Sequence, residues 1–337
     1  MLMDEPLYGI EEEVFLTYPV RPALDALWPL ARLLWEDPRY YYTRSASNFA
    51  RGADLRRAVM SGVELSTPPR RGAEAAVAAL LEQRRRLAAV ADAYIVPMGS
   101  LMGLEARTNT CGLHVHIGGV DDLAAAYAAV AHFLPLFACA FLNAPYEEGG
   151  RPRPSFRFAR SYAIGPLRED PRFRFQDLIL PYRLPTVEIR CFDPVWDTER
   201  LALVLKAVSA VLGSGRRWPL DRDRYNRLRA AVAAEGYGTH VRPLFLELSE
   251  IVTLPEALFA APPADAVRRW AAEGGVEAAY RRIDAAYRGA PAGDARPAPR
   301  PRAWRAAAGF FGYYVPRLPY TVWKALVERP RSGGGHG

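Results

Sequence analysis

Apolar and polar positions alternate with a period of two in several short runs, and with a period near 3.6 in longer ones. Residues 8–16, "YGIEEEVFL", are apolar and β-favouring around three acids, which predicts a strand. In a strand Glu11 and Glu13 share one face, about 7 Å apart along the chain, and Glu12 points to the other. Residues 22–35 carry a helical period, and 40–57 are polar and Arg-rich, a loop or short hairpin. Residues 58–67, "AVMSGVELST", predict a second strand bearing Glu64, stopped by Pro68 and Pro69. Residues 72–92 predict an amphipathic helix, with Ala and Leu on one side and "EQRRR" on the other. "AYIVPMG" is a short strand, and 110–119, "TCGLHVHIGG", a strand closed by glycines, with Asp121 or Asp122 capping the helix after it.

The apolar run 124–142 contains His132 and Pro135 and is too short for a bilayer span, so it predicts a buried helix. Residues 143–185 are irregular and rich in Pro, Gly, Arg and Phe, as binding loops are. "TVEIRCFD" at 186–193 predicts a strand with Glu188 and Arg190 on one face. Helices follow over 199–212, 221–234, 240–251 and 264–287, the last interrupted at Gly274 and Gly275. Residues 291–302 form a Pro/Ala/Arg linker, 304–328 an aromatic segment that docks on the body, and "RSGGGHG" a tail. This order predicts an α+β fold with a largely antiparallel sheet and flanking helices. The domain division is 1–290 for the catalytic body and 291–337 for the linker, aromatic segment and tail.

Composition changes this picture little. The chain has 337 residues, 50% of them hydrophobic and 24% charged, ordinary for a globular protein. The net charge is +7, nearly all the cations being arginine, since only Lys206 and Lys324 are lysines. No Arg-rich face with interleaved aromatics marks a nucleic-acid partner, while an anionic substrate fits the charge. Cys111, Cys139 and Cys191 are odd in number and show no CxxC spacing, which points to a reducing compartment. The acidic N-terminal stretch is unlike a signal peptide, so a cytoplasmic protein with no membrane partner is expected.

The chemistry lies in the polar residues of the strands. Glu11 and Glu13, Glu64, His114 and His116, and Glu188 and Arg190 would gather four carboxylates, two imidazoles and a guanidinium if their strands adjoin. Four carboxylates on one surface raise one another's pKa unless cations answer them. Such an oxygen-rich set with an imidazole suits magnesium or manganese better than zinc. Each element also has a plain explanation: satisfied strand histidines, a solvated Glu64, or a Glu188–Arg190 pair across one face.

The motifs "YGIEEEVF", "GVELSTPP", "CGLHVHIGG", "NAPYEEGGRPRPSFR" and "PTVEIRCFD", in this order, resemble the second glutamate–cysteine ligase family, the bacterial carboxylate–amine ligases. "YNRLRAAVAAEG" is similar to a helix of that family, and the likeness spans about residues 7–240. It implies a glutamine-synthetase-like fold, in which a curved sheet forms a funnel for metals, nucleotide and amino acid. It implies ATP-dependent amide formation through an acyl phosphate, typically on the γ-carboxylate of glutamate. Under it, Glu11, Glu13, Glu64, Glu188 and His114 are metal ligands, with His116 a ligand or phosphate contact. Arg190 neutralises phosphate charge beside Glu188 at the reacting centre, and Arg157 and Arg183 contact the nucleotide. The cofactors implied are ATP and Mg2+ or Mn2+, and the partners small-molecule amino-acid and amine substrates, with homo-oligomer formation left open. One departure stands out: the family's Gly-Thr-His-Pro element is replaced by "PMGSLMGLEA", which places the difference at the substrate mouth. An amide hydrolase or deamidase on the same scaffold, and a non-catalytic nucleotide-binding relative, are the competing readings.

Overall fold

The computed structural model describes residues 5–36, 63–290 and 297–327. The predicted loop over 40–57, the start of the second strand at 58–62, the linker's 291–296 and the tail lie outside them.

Strand β1 (Leu7–Thr17) is the organising element. It pairs with β2 (Val63–Ser66), β3 (Arg70–Arg71), β4 (Tyr94–Val96) and β5 (Leu113–Gly118). A hairpin of β6 (Tyr146–Glu148) and β7 (Arg151–Arg153) stands apart, and β8 (Leu178–Ile179) and β9 (Val187–Phe192) complete the main sheet. The order is β2-β1-β5-β9-β8, and every pairing is antiparallel. The fold is therefore mixed α+β with an antiparallel sheet and flanking helices, as the alternation predicts.

Period two sorts the residues of these strands. Tyr8, Ile10, Leu113, Val115, Ile117, Val187 and Ile189 enter one apolar core beneath helices Ala73–Val90, Leu123–Cys139 and Thr198–Gly213. Val14, Leu16, Val63 and Leu65 enter a second, shared with helix Leu27–Glu36. Fully burying an aliphatic side chain contributes roughly 1.5–3 kcal/mol, so register is fixed firmly: a one-residue slip would turn both cores outward. The polar residues between them are left on the other face.

Helix starts follow local chemistry. The Asp122 carboxylate accepts the Ala125 amide at 2.9 Å, and Asp221 accepts that of Arg224 at 2.8 Å. Helix Pro263–Tyr287 is interrupted at Gly275 alone, whose φ of 80° only glycine adopts freely. The 143–185 stretch is more ordered than its composition suggests, holding the hairpin, helix Phe156–Arg160 and β8. Helix Ala303–Val327 packs on Leu27–Glu36, and Tyr313 is buried in the second core. Cys111, Cys139 and Cys191 are buried.

Candidate functional site

On the polar face of the sheet, register sets the strand residues opposite one another. Glu13 faces Glu64 across β1 and β2, Glu11 faces His114 across β1 and β5, and His116 faces Glu188 across β5 and β9. Arg190 lies two residues beyond Glu188 on the same face. All seven line one cavity of about 680 Å³. Its wall is completed by Thr108 and Thr110, and its rim by Arg172, Arg174, Arg183 and Tyr182.

The contacts are those of a charge cluster answering itself. His114 Nδ1 lies 3.5 Å from Glu11 Oε2 and 3.8 Å from Glu188 Oε1, between two carboxylates. His116 Nε2 is 3.7 Å from Glu11 Oε1, and among the described residues no hydrogen bond reaches this buried nitrogen. Arg190 donates to Glu188 Oε1 at 2.5 Å. Glu13 accepts the Gly112 amide at 2.7 Å. Gly112 is required by close approach: a Cβ there would sit 2.3 Å from the Arg157 guanidinium and 2.8 Å from His114 Nε2.

Protonation differs sharply among these acids. Burial pushes Glu64 well above the usual carboxylate range, and the negative Glu13 and Glu11 push it further, outweighing the pull of Arg190 and Arg174. Burial also acts on Glu11, but hydrogen bonds and charge from His114 and His116 overcome it and lower its pKa. Burial lowers His116, yet the Glu11 carboxylate beside it and the charge of Glu188 raise it overall. Around Glu64 the negative charge of Glu13 and Glu11 thus outweighs what the nearest guanidinium groups supply, and Glu64 is the acid of the cluster most ready to take a proton.

That surplus and the oxygen-rich donor set suit a hard divalent cation. The side chains as placed do not close on one point: among the described residues no group of three or more His, Cys, Asp or Glu is arranged to hold a metal ion. Glu188 is engaged by Arg190, and Glu11 by the two imidazoles. The oxygen-rich donor set is of the kind that suits magnesium or manganese, and Glu11 and Glu188 would have to give up these contacts to hold either.

Glu12, on the opposite face, is fully buried and satisfied by protein. Arg84 Nε and Nη2 donate to it at 3.0 and 2.5 Å, and the Tyr287 hydroxyl at 3.1 Å. Arg84 spends its remaining donors on the Trp196 and Val195 carbonyls. The "EQRRR" segment is therefore not uniformly outward, because an ion-pair partner inside the core draws Arg84 in.

Arg157 lines the same cavity from its buried side. It is buried, donating to the Phe192 carbonyl at 3.0 Å and the Arg190 carbonyl at 2.7 Å, with Asp193 3.7 Å away. It braces the end of β9 behind Arg190, and these two donors are not offered to a phosphate. Burial raises Asp193 to about 6 despite this neighbouring guanidinium. Arg183 is exposed on the rim, free to meet an anion.

Sequence reasoning missed Arg172, Arg174 and the two threonines; the Arg-rich composition of the loop was the only signal. It also left the "YNRLRAAVAAEG" helix without a mechanism. In the structure this helix, Arg222–Glu235, clamps the site from behind. The Asn226 side chain accepts the Leu167 amide at 2.8 Å and donates to the Leu167 carbonyl at 3.1 Å, bracing the arginine-bearing loop. Tyr225 donates to the fully buried Asp177 carboxylate at 2.8 Å and Arg229 pairs with it, while the Asp177 carbonyl accepts the Arg190 amide at 2.8 Å.

No family model and no curated protein matches the sequence. Solved structures match the fold. Glutamate–cysteine ligase from Francisella tularensis, determined in complex with AMP, aligns with a TM-score of 0.59 over 97% of this chain and 95% of that one, at 11% identity. A bifunctional glutathione synthetase from Pasteurella multocida aligns with a TM-score of 0.58 over 86% of this chain, at 14% identity. The chain matches 52% of that larger protein's length. The class defined is thus a fold, that of glutamate–cysteine ligase, and it agrees with the resemblance carried by the short motifs.

Proposed function

We propose that the protein is an ATP-dependent carboxylate–amine ligase, forming a γ-glutamyl-type amide on glutamate or a related amino acid through an acyl phosphate. One observation carries this: four carboxylates, two imidazoles and Arg190 share one cavity wall, with three arginines at its mouth. A cluster of that charge suits a metal–nucleotide complex. The nucleotide in the glutamate–cysteine ligase structure supports the same reading.

Magnesium or manganese, when bound, supplies bridging of phosphate oxygens and neutralises charge on the transferring group. Glu11, Glu13, Glu64, Glu188 and His114 would hold it, with His116 beside them. Arg190, which pairs with Glu188 at 2.5 Å, would give its fixed charge to the phosphoryl oxygens. Arg172, Arg174 and Arg183 draw the polyphosphate to the mouth. Thr108 and Thr110, after the altered "PMGSLMGLEA" segment, offer hydroxyls where the acceptor amine would enter. Positioning and electrostatics carry the reaction, since phosphoryl transfer asks little covalent help of the protein.

The test is phosphate release from ATP and magnesium across amino acids supplied singly and in pairs. Release that requires a glutamate-like carboxylate together with one amine is expected. Amide cleavage without ATP would make the protein a hydrolase. Nucleotide binding with neither reaction would make it a non-catalytic relative.

A further inference from the structure

Helix Ala303–Val327 presents two unlike faces. Its inner face meets helix Leu27–Glu36 so closely that a Cβ on Gly309 would lie 2.4 Å from the Trp28 amide nitrogen. Its outer face carries Trp304, whose ring also packs edge-on against Trp28, and Phe311, Val315, Leu318 and Val322, each 50–63% exposed. Spacings of seven, four, three and four residues put these on a single stripe of an α-helix. Scattered apolar residues on a surface are ordinary, but a continuous stripe along a helix is not.

Charge around the stripe has one sign. Residues 297–327 contain no Asp or Glu, and the cations whose side chains are described there are Arg300, Arg302 and Arg305. The acids packed nearest are already engaged. Asp25 accepts the Arg302 amide, Asp92 pairs with Arg305, and Glu36 lies 3.8 Å from Arg32. Arg300 and Arg302 are exposed beside the stripe's first turn.

We propose that this helix lies on an anionic phospholipid surface, its stripe sunk to the boundary between headgroups and acyl chains. An apolar stripe flanked by arginine and rich in aromatic residues is what such an interface binds. A second copy of the chain suits the face less well. Packed in parallel, two such helices would bring Arg300 and Arg302 of each copy together, with no carboxylate in residues 297–327 to answer them. No helix among the described residues is long and apolar enough to cross a membrane, so the segment lies on the surface and does not span it.

The test is co-sedimentation of the full chain with vesicles of phosphatidylcholine alone and of phosphatidylcholine mixed with phosphatidylglycerol. Binding to the mixed vesicles, weakened by added salt, is expected. Phe311→Glu with Leu318→Glu should lower that binding at least tenfold while leaving circular dichroism unchanged. Arg300→Gln with Arg302→Gln should lower it about fivefold or more on mixed vesicles only. No vesicle binding, or equal binding to both vesicle types, overturns the proposal. So does a dimer, seen by light scattering without lipid, that Phe311→Glu with Leu318→Glu abolishes, because it would place a second copy on the stripe.

Discussion

Strand β1 carries three glutamates in a row, and its two faces treat them in opposite ways. Glu12 lies in the core and is answered in full by Arg84, which donates two hydrogen bonds, and by the Tyr287 hydroxyl. Glu11 and Glu13 face the cavity with Glu64, two histidines and Glu188, and around Glu64 their negative charge outweighs what the nearest guanidinium groups supply. A carboxylate that the protein satisfies is structural, since breaking a buried pair is costly. A carboxylate cluster left with surplus charge, inside a cavity, is arranged for something from outside.

The largest expected effect tests the cavity face. Glu188→Gln removes one negative charge at nearly constant volume, and ATP turnover should fall at least about a hundredfold with circular dichroism unchanged. On the core face the expectation reverses. Glu12→Gln or Arg84→Met leaves a buried charge without its partner and should cost about 3–5 kcal/mol of stability. Turnover per folded molecule should stay within a few-fold of the parent. Denaturant unfolding beside steady-state kinetics separates the two outcomes.

A pH experiment sharpens the contrast. In chelated protein the folded-state pKa of Glu64 lies above its unfolded value, held there by burial and by Glu13 and Glu11. Its contribution to stability is therefore full below the ordinary carboxylate range and is lost as pH rises through the folded value. Glu64→Gln should then raise the melting temperature by a few degrees at pH 8 and change it little near pH 4. That variant should also lose turnover, a stabilising change that inactivates. The smallest effect is expected at the rim. Arg174→Ala should raise KM for ATP about three- to tenfold, with kcat nearly unchanged and the difference shrinking in high salt.

Much of this arrangement was legible in the chain because side-chain alternation is local. A period of two places Glu11 with Glu13, His114 with His116, and Glu188 with Arg190 on shared faces wherever the strands go. The pairing of Glu13 with Glu64 and of His116 with Glu188 was not legible, since cross-strand register is set by the two cores. Arg84 was read as surface because its neighbours Arg85 and Arg86 are. Only the distant Glu12 and the carbonyls of residues 195 and 196 draw it inward. The burial of Arg157 was hidden for a similar reason. A guanidinium in a loop reads as an anion contact, yet carbonyls at the end of β9 take two of its donors. Arg172 and Arg174 reach the mouth because Asn226 braces their loop, a contact across 59 residues that no local pattern encodes.

The most direct test of the central claim is a manganese titration in the presence of ATP, followed by electron paramagnetic resonance, on the parent, Glu12→Gln and Glu64→Gln proteins. The account predicts tight manganese binding by the parent and by folded Glu12→Gln, and binding lost or weakened at least tenfold in Glu64→Gln. Equal loss in both variants, or unchanged binding in Glu64→Gln, would contradict the division of labour between the two faces of β1.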